Sequence, residues 1–269
     1  MGDRKRRRQA FFAAHPTCCF CGGDAAATTE DHVPARGIFD DRHWPDGYNF
    51  PACQACNGLT RDDEKIIAML ARILHYGDQP NEVQKRATRR AMEAVRYAFP
   101  EAYRAMRMSA NEVRRFLKRT GRTRDGYELL TDIPVISIGQ PDFLLALKSF
   151  GIKLFCALHY KHAGRIVPSS GVVSGWFFSN VQVMDGVIPQ DILKIVGRQP
   201  TLRRANYDLK SQFGYLYQVA QEGTSSIFLC SFRHSFAMIG YVNELDDLES
   251  EFDEKLERGI FRSRPFRHG

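Results

Sequence analysis

The chain has no apolar run approaching the roughly 20 residues that a bilayer-spanning helix needs, so no membrane partner is expected. An export leader is also missing. The start, MGDRKRRRQAFFAAHP, carries a basic run, but the apolar stretch behind it is too short for a secretory signal. A cytoplasmic location is the expectation. No internal repeat and no low-complexity segment occurs, which sets aside repeat arrays and disordered tails. Tryptophan is scarce: Trp44 and Trp176, with the tyrosines around Tyr215, read as core or interface aromatics rather than base-stacking platforms. Cysteine is thin over most of the length, with only Cys156 and Cys230 beyond Cys56.

What is present is more pointed. At 269 residues and 43% hydrophobic, the chain can bury a sizeable core. Five of its seven cysteines, Cys18, Cys19, Cys21, Cys53 and Cys56, fall near the start. Without an export signal, close cysteine pairs read as metal ligands rather than disulfides. The formal net charge is +7, and it is unevenly spread. Arg4 to Arg8 form one basic run, and Lys85 to Arg124 hold many Lys and Arg against only Glu93, Glu101 and Glu112. Glu244 to Glu257 is acidic, so the remaining surface is more basic than the net figure. A polyanionic partner would suit this distribution; solvated helix faces account equally well for either run alone.

Three regions differ in character, and together they read as an α+β protein. Residues 1–76 hold the cysteines and the loop prolines, 77–124 read as basic helices, and 125–269 as an α+β domain with an antiparallel meander. Ile66, Ile67, Met69, Leu70, Ile73 and Leu74 make an apolar stripe at helical spacing. Asn81 with Gln84, and Ser109 with Glu112, are capping-box signatures, and Gly121 is a stop. Leu129 to Ile138 reads as extended, and Asp142 to His159 as a helix that Gly151 tends to interrupt. Phe213–Val219, Ile227–Phe232 and Phe236–Val242 read as successive strands, with Gln221–Gly223 as a hairpin turn.

The chemistry lies in three short elements: Cys18-Cys-Phe-Cys21-Gly, Glu30-Asp31-His32-Val-Pro34, and Pro51-Ala-Cys53-Gln-Ala-Cys56-Asn57. Cys18 and Cys21 are spaced C-x2-C, as are Cys53 and Cys56, giving four thiolates for a closed, structural zinc site. Registers that use Cys19 have poorer spacing. Folding both knuckles onto one ion draws the strand end at Asp31-His32 toward the helix start at Asn57. His15 and His43 read as surface histidines, and His159, His162 and His234 as a weak alternative cluster.

This run of elements resembles the zinc-bearing branch of the HNH endonuclease family over about residues 16–65. The resemblance implies a ββα-metal module: two strands and a helix around a divalent ion, Mg²⁺ or another, catalysing phosphodiester hydrolysis. It implies His32 as general base and Asp31 and Asn57 as ion ligands, with Asn49 as the candidate that orients the histidine. Glu64, seven residues past Asn57 on the same helix face, is a further candidate ligand, and a first-turn carboxylate favoured by the helix dipole accounts for it equally well. Asn49 stands one residue from the family spacing. Many relatives carry a lysine three residues after the asparagine; here that place is Thr60, followed by Arg61. The expected function is therefore a metal-dependent endonuclease acting on nucleic acid, DNA ahead of RNA, in a restriction or phage-defence setting. The C-terminal region would serve targeting, sensing, a protein partner or homodimerisation. The competing reading is a non-catalytic four-cysteine zinc module that binds nucleic acid or protein.

Overall fold

A computed structural model describes residues 2–73, 81–124, 126–130, 133, 135–245 and 255–267. Leu74, the boundary at 76–77 and most of the acidic 244–257 stretch lie outside the described residues.

The basic N-terminal run is helical, as α1 (Asp3–Ala14), and none of its residues is buried. With no apolar periodicity, this helix gave no sequence signal. It is followed by an antiparallel hairpin, β1 (Thr29–His32) and β2 (Asn49–Ala52), whose register sets His32 opposite Asn49. The chain then enters α2 (Gln54–Leu59), so two strands and a helix come in the expected order. The expected continuation of α2 through Asp62 is not found. The helix breaks at residues 60–62, and α3 (Asp63–Leu70) restarts beyond, with Ile66 to Leu70 buried. The break turns the Thr60 hydroxyl inward, where it meets Glu64 and a buried lysine.

Local chemistry sets the next helices. α4 (Glu82–Ala98) and α6 (Ala110–Thr120) open on the two capping boxes, Asn81 with Gln84 and Ser109 with Glu112. Between them, α5 (Pro100–Ala105) starts on Pro100. Gly121, at φ 63°, closes α6 in the left-handed conformation that costs glycine least. Val113 and Leu117 are buried, while Arg114, Arg115, Lys118 and Arg119 face solvent.

The strand expected over 129–138 is absent among the described residues; only Ile136 forms an isolated bridge, with Arg107. Its apolar residues find burial another way, Ile133 and Val135 packing with Val113 and Leu117 of α6. β-propensity describes fit to a half-buried pleated surface, and a helix face satisfies the same need.

The long helix α7 (Pro141–Ala163) forms the spine of the molecule. By length and composition it could cross a bilayer, but 72% of its apolar window is buried inside the protein. It runs unbroken through Gly151, because the Phe261 ring packs where a Cβ would stand. α7 lies against a five-stranded antiparallel sheet built from β3 (Val172–Ser179), β6 (Gly214–Val219), β7 (Ser225–Phe232), β8 (Phe236–Asn243) and β9 (Ile260–Ser263), in the order β6-β7-β8-β3-β9. The meander β6–β7–β8 matches the sequence reading; β3 and β9 did not stand out. Short elements α8 (Asn180–Met184), α9 (Gln190–Ile195), β4 (Arg203–Arg204) and β5 (Tyr207–Asp208) connect β3 to β6. One continuous core joins the cysteine-rich start to this half: Cys19, Phe20 and Phe50 share it with Phe155, Cys156, Phe228 and Phe261. Polar ties cross the same boundary, including Tyr48 to Tyr215 through their hydroxyls (2.7 Å) and Lys161 Nζ donating to the Gly47 carbonyl (2.9 Å).

Candidate metal centre and active site

Cys18, Cys21, Cys53 and Cys56 converge, with all four Sγ atoms within 4.8 Å of one another and every residue buried. A tetrahedron of zinc–sulfur bonds of about 2.3 Å has edges of about 3.8 Å, so the set is compatible with one structural zinc. Among the described residues it is the one group of three or more His, Cys, Asp or Glu side chains close enough to share an ion. Each knuckle aims backbone donors at sulfur: Phe20 N–H at Cys18 Sγ (3.5 Å) and Cys56 N–H at Cys53 Sγ (3.4 Å). Thiolates this close repel one another. A hydrogen bond from the Cys56 thiol draws Cys18 down to about 5, while burial, then the Cys18 charge, push Cys21 up to about 11. A divalent cation removes that conflict and lets all four ionise. Cys19 is fully buried and outside the set; its N–H donates to the Pro51 carbonyl (3.0 Å), tying the knuckle to β2.

His32 ends β1. Its Nδ1 lies 3.1 Å from Asn49 Oδ1, which also accepts from Trp44 Nε1 (2.9 Å). An amide oxygen can only accept, so Nδ1 carries the proton and the lone pair is on Nε2. Asn49 is itself fixed by donating to Glu30 Oε2 (3.0 Å). The residue one place off the family spacing is thus the one bonded to the histidine, because pairing of β1 with β2 makes them direct neighbours. Nε2 faces the Arg36 guanidinium. Trp44 stacks on His32 with ring centroids 4.3 Å apart, and it also receives Arg36 (4.3 Å) and Arg204 (4.2 Å) as cation–π partners. Arg204 arrives from the β4–β5 hairpin, which Asp46 pins through Arg204 Nη1 (2.9 Å) and the Ala205 N–H (3.0 Å). Burial, and then the Arg36 charge, lower the His32 pKa to about 4, so the imidazole is neutral at pH 7.

Asp31 and Glu64 meet on a residue the sequence reading did not consider. Lys153, from the middle of α7, is 1% exposed and carries its ammonium to Asp31 Oδ2 (2.6 Å), Glu64 Oε1 (2.6 Å) and Thr60 Oγ1 (2.7 Å). The contacts to Glu64 and Thr60 are hydrogen bonds, whereas Asp31 Oδ2 is held by charge alone and has no hydrogen-bond partner. Burial works against the ammonium, but Asp31 and Glu64 outweigh it and hold Lys153 above the usual lysine pKa. Burial pushes Asp31 up to about 6 despite the ammonium beside it. Asn57 donates through Nδ2 to Thr29 Oγ1 (3.0 Å), on the same strand face as Asp31. The sequence did hold one signal, a lysine inside Gly151-Ile-Lys-Leu-Phe-Cys-Ala-Leu-His159, since fully buried lysines are rare unless paired.

The hard divalent ion implied by the resemblance would draw on Asp31, Asn57 and Glu64. As arranged, these residues do not fit it, since both carboxylates are engaged by an ammonium that the fold keeps buried. A doubly charged ion about 4 Å from that ammonium would be repelled by roughly 8 kcal/mol at an effective dielectric of about 20.

The remaining candidates have other partners. His15 bonds Tyr160 Oη (2.7 Å), and His43 stacks on Tyr207. His159 is buried between Ser226 Oγ (2.8 Å) and Glu244 Oε1 (3.0 Å), whereas His162 bonds Tyr215 Oη (2.7 Å), so these two do not share a site. Arg61 is exposed. A cavity of about 690 Å³ lies between α6, the 135–139 segment and β3, and none of its lining residues belongs to the His32 or cysteine clusters. No protein-family model matches the chain, and no curated protein or solved structure matches it either.

Proposed function

We propose that the chain is an HNH-type endonuclease that hydrolyses phosphodiester bonds in nucleic acid, DNA ahead of RNA. The observation that carries this reading is His32: neutral, with its proton fixed on Nδ1 by Asn49 and its Nε2 lone pair beside a guanidinium. A binding module has no use for an imidazole oriented in this way. In the proposed step, Arg36 turns from Nε2 to the phosphate, and Nε2 takes a proton from water as the water oxygen bonds to phosphorus; the bond from phosphorus to the 3′ oxygen breaks, and that oxygen takes a proton from solvent. Arg36 and Arg204 supply planar donors suited to the phosphate oxygens. Zinc on the four cysteines would hold the first knuckle against α2 and so fix the hairpin; a closed four-sulfur sphere leaves no position for substrate. The exposed basic faces of α1, α4 and α6 offer contacts to a phosphate backbone. A restriction or defence setting would suit such an enzyme, with the C-terminal half providing targeting.

The second reading, a non-catalytic zinc module that binds nucleic acid, draws support from Lys153, whose ammonium pairs with Asp31. Cleavage of supercoiled plasmid, single-stranded DNA and RNA by zinc-loaded wild type and His32→Ala separates the two. The nuclease reading expects a loss of about 100-fold or more in the variant, the usual size of a general-base contribution. Binding without cleavage, unchanged by the substitution, would favour the module.

A further inference from the structure

We infer that Lys153 is the resident cation of the candidate site, its ammonium standing where the resemblance would have a divalent ion, so that the site takes no second metal beside zinc. The inference deepens the nuclease reading and, for its catalytic consequence, rests on it.

Asp31, assigned to an ion by the resemblance, and Glu64, a further carboxylate beside it, converge on Lys153 Nζ at 2.6 Å each. The third oxygen comes from Thr60, the residue standing where many relatives have a lysine. The lysine that many relatives carry at that place is absent here, and a lysine from α7 enters the cluster instead. This is not a side chain that has folded over a surface pocket. Lys153 lies between Ile152 and Leu154 on a helix whose residues from Phe150 to His159 are all buried, and its side chain is 1% exposed. A buried ammonium needs anionic partners, and the carboxylates it uses are the ones an ion would need. Asp31 and His32 are neighbours at the end of β1, so the fixed charge stands just behind the base, and it contributes to keeping His32 unprotonated. Lys153 is thus a positioning residue: it is hydrogen-bonded to Glu64 and Thr60 and acts through its charge on Asp31.

The direct test is Mn²⁺ titration of the full-length, zinc-loaded protein, reading free Mn²⁺ by electron paramagnetic resonance. Wild type is expected to bind no stoichiometric Mn²⁺ at millimolar concentration. Lys153→Met frees both carboxylates and should bind a single ion at least about 100-fold more tightly, with the gain lost in Lys153→Met/Asp31→Asn. A stoichiometric ion on wild type that disappears in Asp31→Asn overturns the inference, and this arm decides even if Lys153→Met does not fold. If the wild type cleaves nucleic acid, its rate in metal-depleted buffer should stay within about two-fold of its rate with Mg²⁺, zinc content being equal; a requirement for Mg²⁺ of about 100-fold or more also overturns it. Absence of cleavage in every arm would remove the nuclease reading alone, and the Mn²⁺ result would still decide the place of Lys153.

Discussion

The cysteine cluster and the Asp31–Glu64 pair are both sets of anionic ligands gathered on one small frame of hairpin and helices, yet the chain answers them differently. Helix α7 runs behind both. Toward the carboxylates it presents Lys153, a cation. One turn further on it presents Cys156, a neutral thiol whose pKa burial and the neighbouring Cys18 and Cys21 push up. The sulfurs therefore need a cation from outside, and the carboxylates already have one. A ligand-rich motif in sequence defines where a positive charge must sit; it does not define whether an ion or a side chain supplies it.

The largest effect that would sharpen this contrast is at the cysteines. Removing zinc, or substituting Cys53→Ser, should abolish cooperative folding of the first 60 residues and loosen the shared core. Structural zinc in small modules is worth on the order of 10 kcal/mol at neutral pH. Thermal melts with thiol titration would show it; an unchanged melting curve on chelation would mean that the four sulfurs need no ion.

Next comes Lys153→Met, which leaves the buried Asp31 and the half-buried Glu64 without a counter-ion. A cost of about 3–5 kcal/mol is expected, as for other broken buried pairs. Adding Asp31→Asn and Glu64→Gln should return most of it, because a neutral polar cluster no longer needs the ammonium. Denaturant unfolding measures both steps, and equal stability of the single and triple variants would break the comparison.

Smaller still is Asn49→Leu, which removes the acceptor that fixes the His32 tautomer while keeping the side-chain bulk. Cleavage should fall by about 10-fold, less than for loss of the base itself, through misorientation. Rates for Asn49→Leu and Asn49→Asp would check this, the second retaining an acceptor and much of the activity.

The least conspicuous effect concerns pH. The active form of His32 is the neutral one, and burial with Arg36 depresses its pKa to about 4. Because Asp31 titrates near 6, the His32 limb is read in Asp31→Asn, where activity should stay level from pH 8 to 6 and fall only on approach to pH 4. A limb near 6.5, the ordinary histidine value, would place His32 in a solvent-like setting and contradict the buried geometry.

Much of this arrangement was legible in the sequence, for reasons that are local. The knuckle spacing, the capping boxes at Asn81 and Ser109, the Gly121 stop and the β6–β7–β8 meander each depend on residues a few positions apart. Closing the two knuckles brings the start of α2 against β1, but there Asn57 bonds Thr29, while Asp31 and His32 turn to different partners, Lys153 and Asn49. What escaped is long-range. Lys153 lies 122 positions from Asp31, and Arg204 lies 160 from Trp44; only the packing of α7 and the Asp46 clamp bring them in. The break at residues 60–62 escaped for the same reason, since the buried ammonium that draws Thr60 inward comes from another element. The segment 129–138, read as extended, joins no sheet among its described residues, its apolar side chains having a helix face to pack on.

The measurement closest to the centre of the account is plasmid cleavage by zinc-loaded wild type and His32→Ala, each in metal-depleted buffer and with Mg²⁺. The account predicts cleavage by the wild type in both buffers and a loss of about 100-fold or more in the variant. Folded, zinc-loaded wild type that leaves the plasmid intact in both, or a variant that cuts as fast as the wild type, would contradict it.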